Sequence, residues 1–424
     1  MFAFQCCLLA LLGVAPSVAF VEGRDRRVRL PAGTASSSQA TSSFLGTPQS
    51  HEAETHRSGI QHEYPFYHTS DELRAEAKSL VDSCNGAGSF WSVNESGVSI
   101  DVVRVRAKTA TPVNKVFIMF GEHSRELISP ESGLALLRML CGSDTSRASL
   151  VAQTLKDSEF EIVLNGNPNS RRKVEQGEYC IRTNPDGVDL NRNWDEEWKK
   201  GSEGFGFESN PGPKPFSEPE TRLFRQLVTD YLPTTFLTVH SGTRGLYMPW
   251  AYDTEHLATR NQKSMMQVIR QLDAKHCQCP YGAAGKEVGY SCPGTSIDYV
   301  YDRLNASFAF AFEIYVDPGE DASLKKRWDE KVASGEAALL QDGRAQLAHQ
   351  TFSSLFKEHQ SDFVQSRERD ASSQAALRES SCFAQYNPMT EDLYKSTVGN
   401  WAEAYLQMAQ MTVQQMQHSE GQSS

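Results

Sequence analysis

The sequence predicts an α/β fold with a mixed, largely parallel central sheet flanked by helices. Short apolar runs recur along the chain, and segments with helical spacing and helix-start signals lie between them. Strands and helices of similar length therefore alternate, which is typical of α/β domains. The chain has 424 residues, which is enough for one large domain or two medium ones.

Local patterns support each predicted element in turn. The segment 98–107 alternates as a half-buried strand does, whereas the run at 115–122 is continuously apolar and fits a buried strand. The segment 129–142 opens on Ser, Pro and Glu and closes at glycine, which predicts a helix. The remaining predicted strands span 160–169, 234–242 and 306–315, and the remaining predicted helices span 70–84, 218–232 and 264–276.

The N-terminal region has the pattern of a targeting sequence. Residues 1–19 are apolar and end in a small-residue cleavage pattern, which predicts a signal peptide and a destination in the secretory pathway. Residues 20–60 are rich in Ser, Thr, Ala and Arg and are expected to be a disordered or targeting segment; a two-part plastid address is the alternative. The other expected segments are a globular domain at 61–412, a charged helical insertion within it at about 320–380, and a disordered tail at 413–424.

Charge and cysteine content exclude some functions and restrict others. The formal net charge of −11 leaves no basic surplus to neutralise phosphates, so no nucleic-acid partner is expected. No second stretch is long and apolar enough to span a bilayer, so no stable membrane insertion is expected after signal cleavage. Of nine cysteines, Cys6 and Cys7 leave with the signal peptide. The remaining number is odd, so at least one is free or pairs between chains.

Three apolar strands end in ionisable residues, and this is the strongest functional signal. His123 and Glu126 follow one strand, His240 ends a second, and Glu313 ends a third. Ligands of open α/β sheets bind beyond the carboxyl ends of the strands. Two histidines and a glutamate fit catalytic zinc, which keeps three protein ligands and an open position. The sequence therefore predicts a site for one Zn²⁺ per chain at this edge.

A second polar cluster lies in the segment 180–194. It contains Arg182, Asp189, Asn191 and Arg192. An amide next to a guanidinium can form a bidentate seat for a carboxylate. Taken alone, the same residues also fit a solvated loop that follows a turn.

Together these motifs resemble the zinc carboxypeptidase family of pancreatic carboxypeptidase A type. HxxE at 123–126, GVDLNRNW at 187–194, TVHS at 238–241 and FEIY at 312–315 occur in the family's order and at similar spacing, across residues 60–320. The segments around 167–198 and 382–388 are most similar to a plant and protist branch. The resemblance implies a metallocarboxypeptidase that acts on peptide or protein C-termini, and we expect it to be a monomer.

The resemblance also implies roles for individual residues. The zinc ligands would be His123, Glu126 and His240, with Asp189 orienting the first histidine. Glu313 would deprotonate the zinc-bound water and later protonate the leaving amine, and Arg182 would polarise the scissile carbonyl. The implied substrate-binding residues are Asn191 and Arg192 as the carboxylate clamp, Tyr290 as a mobile cover and Arg125 as an accessory arginine.

The resemblance places four further residues around the terminal side chain of the substrate. Ile297 matches the base of the pocket, where basic-specific relatives carry an acid, and Ala311, Cys292 and Tyr247 match wall positions. These residues are mostly apolar or small, which predicts a preference for hydrophobic or aromatic C-terminal residues.

Several alternatives remain open at this stage. Arg171 or Arg172 could take the oxyanion role assigned to Arg182. An amidase or deglutamylase could use the same zinc and the same carboxylate clamp, because a γ-linked glutamate also offers a carboxylate. A non-catalytic zinc-binding relative is a third possibility.

Overall fold

The computed structural model describes residues 59–84, 87–201, 209–333 and 371–421. The predicted signal peptide at 1–19, almost all of the segment 20–60 and the centre of the predicted insertion lie outside the described residues. None of the helices in the described ranges is long and apolar enough to cross a membrane.

The described residues contain one sheet of eight strands, in the order β1-β2-β4-β3-β5-β8-β6-β7. The strands are β1 (Gly88–Glu95), β2 (Val98–Val105), β3 (Asn114–Phe120), β4 (Ser158–Val163), β5 (Thr235–His240), β6 (Thr243–Met248), β7 (Tyr281–Ala283) and β8 (Phe308–Tyr315).

The centre of the sheet is parallel. Strand β3 pairs in parallel with β4 and β5, and β5 pairs in parallel with β8. Antiparallel pairs of β1 with β2, β2 with β4 and β6 with β8 flank it. The predicted mixed, largely parallel sheet is therefore confirmed, and the carboxyl ends of β3, β5 and β8 meet at one edge.

Helices cover the sheet, as predicted. They are α1 (Gly59–Glu63), α2 (Ser70–Ser83), α3 (Ile128–Leu140), α4 (Ala148–Asp157), α5 (Pro168–Val174), α6 (Pro219–Tyr231), α7 (Gln262–Leu272), α8 (Ala284–Val288), α9 (Ser296–Asp302), α10 (Pro318–Ala333), α11 (Ala371–Tyr386) and α12 (Glu391–Gly421). A π-helical turn, Asp273–Cys277, extends α7, and a 3₁₀ turn forms at Leu190–Arg192.

The long helix α12 packs against α3 and the centre of the sheet. Tyr405 shares a hydrogen bond of 2.9 Å with Ser132 of α3, and the Trp401 indole donates to the Ile314 carbonyl of β8 at 2.9 Å. Because α3 begins at Ile128, two residues after Glu126, this packing holds the start of α3 against the sheet edge.

The C-terminal region differs from the prediction in two ways. The helical spacing of residues 383–408 predicts one final amphipathic helix, but α11 ends at Tyr386 and α12 begins at Glu391. The break forms because Pro388 lacks a backbone N–H and disfavours helical geometry in the residue before it. The predicted disordered tail from residue 413 is corrected as well: α12 continues to Gly421, and Val413 is buried at 6% exposure.

Candidate active site

The turn after β3 delivers the first predicted site residues. Gly121 has a φ of +70°, and a Cβ there would lie 3.0 Å from Pro130 Cγ and 3.3 Å from the Gly166 nitrogen. This conformation and space suit glycine alone. His123 and Glu126 follow in the segment that leads into α3, and both are almost fully buried.

His123, Glu126 and His240 converge on one point, as predicted. Glu126 lies 2.8 Å from His123 Nδ1 through Oε1 and 3.1 Å from His240 Nδ1 through Oε2. The two Nδ1 atoms are 3.1 Å apart. Two imidazole nitrogens and a carboxylate facing one another are the donor set of a catalytic zinc site, so the residues present fit the ion.

The charges around this cluster also favour a cation. Burial lowers the pKa of His240, but Glu126, Glu313 and Glu122 outweigh burial and raise that pKa to about 9. The surroundings therefore stabilise a positive charge at the point where the ligand atoms meet.

Asp189 lies directly behind His123. Its Oδ1 is 3.1 Å from His123 Nε2 and accepts the Asn191 backbone N–H at 3.0 Å, while its Oδ2 accepts from Arg182 Nε at 3.1 Å. Burial opposes ionisation of Asp189, but the charges of Arg182 and Arg192 hold the pKa of its carboxyl well below its usual range. An ionised carboxylate therefore faces the outer nitrogen of His123.

Sequence reasoning missed Glu122, which is 1% exposed and lies behind His240. Its Oε2 is 3.5 Å from His240 Nε2 and 3.4 Å from Thr238 Oγ1, and its Oε1 accepts the Trp194 indole N–H at 3.1 Å. Burial raises the pKa of Glu122 against the opposing charges of His240 and His123. The sequence signal that could have identified Glu122 is its position directly before HxxE, at the end of an apolar run.

Glu313 lies opposite His240 in the register of β5 with β8. Its Oε2 is buried, and no hydrogen-bond donor from the described part of the chain reaches it. Removal of the carboxyl group from water raises the pKa of Glu313 to about 8, although His240 acts in the opposite direction. A carboxyl group beside the metal cluster is thus left available to accept a proton.

Arg182 faces the metal cluster and completes the Asp189 contact. Its Nη1 is 3.6 Å from Glu126 Oε1. Burial lowers the pKa of Arg182, but Asp189 and Glu126 raise it overall, so the guanidinium stays charged.

Arg171 and Arg172 are engaged elsewhere. Arg171 donates to Glu175 at 3.1 Å and to the His68 carbonyl at 2.8 Å, and Arg172 pairs with Asp71 at 2.9 Å on the surface. Of the three candidate arginines, Arg182 is the one that contacts the cluster residues.

The predicted carboxylate clamp lies on the loop beside this cluster. The Asn191 side-chain oxygen accepts the Ser296 backbone N–H at 3.0 Å, and Arg192 donates to the Asn191 carbonyl at 2.7 Å. Arg192 is 9% exposed, whereas Tyr290 is 49% exposed on the loop that follows α8. An exposed aromatic side chain on a loop fits the mobile cover predicted for Tyr290.

The predicted pocket residues come from three elements. Ile297 is buried near the start of α9, and Tyr247 of β6 pairs with Ala311 of β8. Cys292 is buried, and it is the one free thiol among the cysteines that the structure describes.

Arg125 lies beneath α11. Its guanidinium stacks on the Tyr386 ring at 4.1 Å and donates to the Cys180 carbonyl at 3.1 Å. A disulfide joins Cys180 to Cys382 of α11. Helix α11 is therefore tied to the segment that carries Arg182, a contact that sequence analysis did not predict.

Two further disulfides lie away from this edge. They join Cys84 to Cys141 and Cys277 to Cys279. With Cys292 free, the odd number of cysteines is accounted for in the described ranges.

Comparisons with known proteins are consistent with this geometry. A family model described as zinc carboxypeptidase matches residues 91–333. Carboxypeptidase A5 of Macaca fascicularis is 25% identical over 284 residues, which cover 61% of this chain and 62% of that protein. A zinc carboxypeptidase of Simulium vittatum is 28% identical over 275 residues, covering 59% of this chain and 83% of that protein.

A solved structure shows the same fold. Bovine thrombin-activatable fibrinolysis inhibitor, in complex with tick carboxypeptidase inhibitor, aligns with a TM-score of 0.55 at 18% identity, covering 82% of this chain and 98% of that chain. The matches to carboxypeptidase A5 and to mouse carboxypeptidase A2 span less than two thirds of the length of those relatives.

Proposed function

The chain belongs to the zinc carboxypeptidase family, and from this premise we propose that it is a zinc-dependent carboxypeptidase. It hydrolyses the C-terminal peptide bond of peptides or proteins. The observation that carries this proposal is Glu313, whose buried Oε2 receives no hydrogen bond from the described residues. Glu313 lies on β8 directly opposite the candidate metal ligand His240 of β5.

In this proposal His123, Glu126 and His240 hold one Zn²⁺. When bound, zinc supplies a Lewis acid that polarises the scissile carbonyl and lowers the pKa of water to about 7. Glu313 accepts the proton of the attacking water and returns it to the leaving amine nitrogen. Asp189 keeps the outer nitrogen of His123 protonated, which leaves Nδ1 free to bind the metal.

Arg182 stabilises the negative charge that develops on the carbonyl oxygen. Its Nε is held by Asp189, while its Nη1 lies on the Glu126 side of the site. A donor fixed before the reaction is effective because little reorganisation is needed as charge develops.

Arg192 and Asn191 bind the terminal carboxylate of the substrate, and Tyr290 closes over it. An internal peptide segment offers no carboxylate to this clamp, and a guanidinium left unpaired at 9% exposure is costly. This difference in binding restricts the enzyme to chain ends.

The terminal side chain enters a pocket bounded by Ile297, Ala311, Cys292 and Tyr247. No acidic group occurs among these four residues, so apolar or aromatic side chains are favoured. Arg125 contacts the substrate upstream of the scissile bond from its position beside Tyr386.

A panel of acyl-dipeptides that differ in their C-terminal residue tests this function. Release of Phe or Leu that a zinc chelator abolishes is the expected result. Release of Lys, Arg or Glu would overturn the pocket assignment alone. Cleavage of γ-linked glutamate or of acylated amino acids, with no dipeptide cleaved, would favour a deglutamylase or amidase. Zinc binding without any turnover would favour a non-catalytic relative.

The compartment belongs to the same proposal. The three disulfides of the described residues fit folding in an oxidising compartment, as the predicted signal peptide also requires. Mass spectrometry of the mature protein from its native source tests this. An N-terminus at residue 20 is expected for secretion, whereas an N-terminus near residue 60 would favour the plastid route.

A further inference from the structure

The two candidate zinc histidines have different outer partners. His123 contacts a carboxylate directly, because its Nε2 lies 3.1 Å from Asp189 Oδ1. His240 Nε2 instead lies 2.8 Å from Thr238 Oγ1. Behind that hydroxyl is Glu122, whose Oε2 is 3.4 Å from Thr238 Oγ1.

We propose that Glu122 is a positioning residue for the metal site, acting on His240 through the hydroxyl of Thr238. His240 Nε2–H donates to Thr238 Oγ1, and the Thr238 O–H donates to Glu122 Oε2. This polarity leaves the lone pair of His240 Nδ1 directed at the ion. The inference rests on the zinc site of the proposed function and adds residues that the function does not require.

The Trp194 indole fixes the direction of the hydrogen-bond relay that runs from His240 through Thr238 to Glu122. It is fully buried, packs against Phe216 and Phe224, and donates to Glu122 Oε1 at 3.1 Å. An indole N–H can only donate, so Glu122 must accept on that side. Its other oxygen is therefore directed at Thr238 and His240.

Because Glu122 is buried, its carboxylate depends on these hydrogen-bond partners. A carboxylate at 1% exposure is unfavourable unless hydrogen bonds or opposite charges compensate for the lost water. Trp194 supplies one neutral donor, and the remaining compensation comes from the Thr238 hydroxyl and the imidazoles. Each metal-binding imidazole then has a carboxylate behind it, which raises its basicity and strengthens its bond to the metal.

The change Glu122→Gln tests the relay, because glutamine has the shape of glutamate but carries an NH₂ donor in place of one carboxylate oxygen. The amide oxygen must face the Trp194 donor, so the amide NH₂ faces Thr238. The Thr238 hydroxyl then donates to His240 Nε2, which moves the imidazole proton to Nδ1 and blocks the metal-binding nitrogen. Zinc affinity is expected to fall by about 10–100-fold.

The matched control is Glu161→Gln. Glu161 is also a 1%-exposed glutamate, but its carboxylate pairs with Arg104, away from the metal cluster. Zinc dissociation constants are measured by competition with a chromophoric chelator for the wild-type protein and both variants. Glu161→Gln should leave the zinc affinity unchanged.

Two further measurements separate positioning from general structural support. Thermal unfolding of the metal-free proteins reports fold, and the ¹⁵N shifts of His240 in the zinc-loaded protein report which ring nitrogen carries the proton. Thr238→Val removes the hydroxyl without changing its shape and should also weaken zinc binding. If Glu122→Gln does not fold, Thr238→Val decides.

The results distinguish this inference from the proposed function. Wild-type affinity and an unchanged His240 tautomer in a folded Glu122→Gln variant, or in Thr238→Val, would overturn the relay and leave the carboxypeptidase proposal intact. A wild-type protein that binds no zinc would instead overturn the metal site on which both rest.

Discussion

The metal-binding half of the site and its substrate-binding half are built differently. His123, Glu126 and His240 are 2–3% exposed, at or directly after the ends of central strands. Tyr290 is 49% exposed on a loop, and Arg125 is held by α11 rather than by the sheet. The buried strand ends suit metal coordination, because ligand atoms tolerate little displacement from the ion. The exposed loop suits substrate binding, because that part of the site must open to admit a substrate and close over it.

The largest loss of activity is expected for Glu313→Gln, because this change removes the base and leaves the three metal ligands intact. It therefore separates catalysis from metal binding. General base catalysis contributes about 10²–10⁴-fold, so kcat should fall by that factor. Bound zinc, measured by elemental analysis, should stay near one equivalent. Retained turnover in the variant would remove Glu313 from its role.

The pH profile provides a second measurement of the same residue. Burial raises the pKa of Glu313 to about 8 in the metal-free site, and a nearby zinc cation lowers it from there. The base acts when deprotonated, so kcat/KM should fall about tenfold per pH unit once the pH is below this pKa. A pKa of Glu313 in the usual range of glutamate, measured by NMR titration of the zinc-free protein, would contradict the burial argument.

Arg192→Ala tests the substrate half and should produce the next largest effect. Loss of a charged hydrogen bond costs about 1.5–3 kcal/mol, so kcat/KM for free C-termini should fall roughly 10–100-fold. Zinc affinity should stay unchanged, which distinguishes this half from the metal-binding half. A peptide with an amidated C-terminus is the control substrate, because it cannot pair with Arg192. An equal loss on both substrates would argue against a carboxylate clamp.

The same contrast explains what could be predicted from sequence. His123, Glu126, His240 and Glu313 follow apolar strands, and parallel pairing brings such strand ends together. The partners of Glu122 could not be inferred, because Trp194 and Thr238 are 72 and 116 positions away in the chain.

The three arginines between β4 and β5 that could take the oxyanion role give a similar lesson. Sequence left the oxyanion role open among Arg171, Arg172 and Arg182, since each lies near the same polar segment. Arg171 is engaged by Glu175, the residue after its own helix, and by Glu131 of α3, and only folding brings Glu131 within 3.5 Å of it. Pro388, in contrast, is a visible signal in the sequence for the break between α11 and α12, because proline disfavours helical geometry in the residue before it.

The smallest change in activity is expected for Cys382→Ser. This variant tests whether α11 supports only the substrate-binding half of the site. Cys382 is bonded to Cys180, two residues before Arg182, and Glu379 of α11 accepts the Cys180 backbone N–H at 3.1 Å. Loosening α11 displaces Tyr386 from Arg125, so KM should rise by no more than about tenfold while zinc affinity is unchanged. Cys141→Ser is the matched control, because it breaks the disulfide between the residues that follow α2 and α3, at a similar cost of about 2–5 kcal/mol. Equal changes in KM for both variants would mean that the α11 disulfide acts through global stability, and the division between the two halves would not extend to α11.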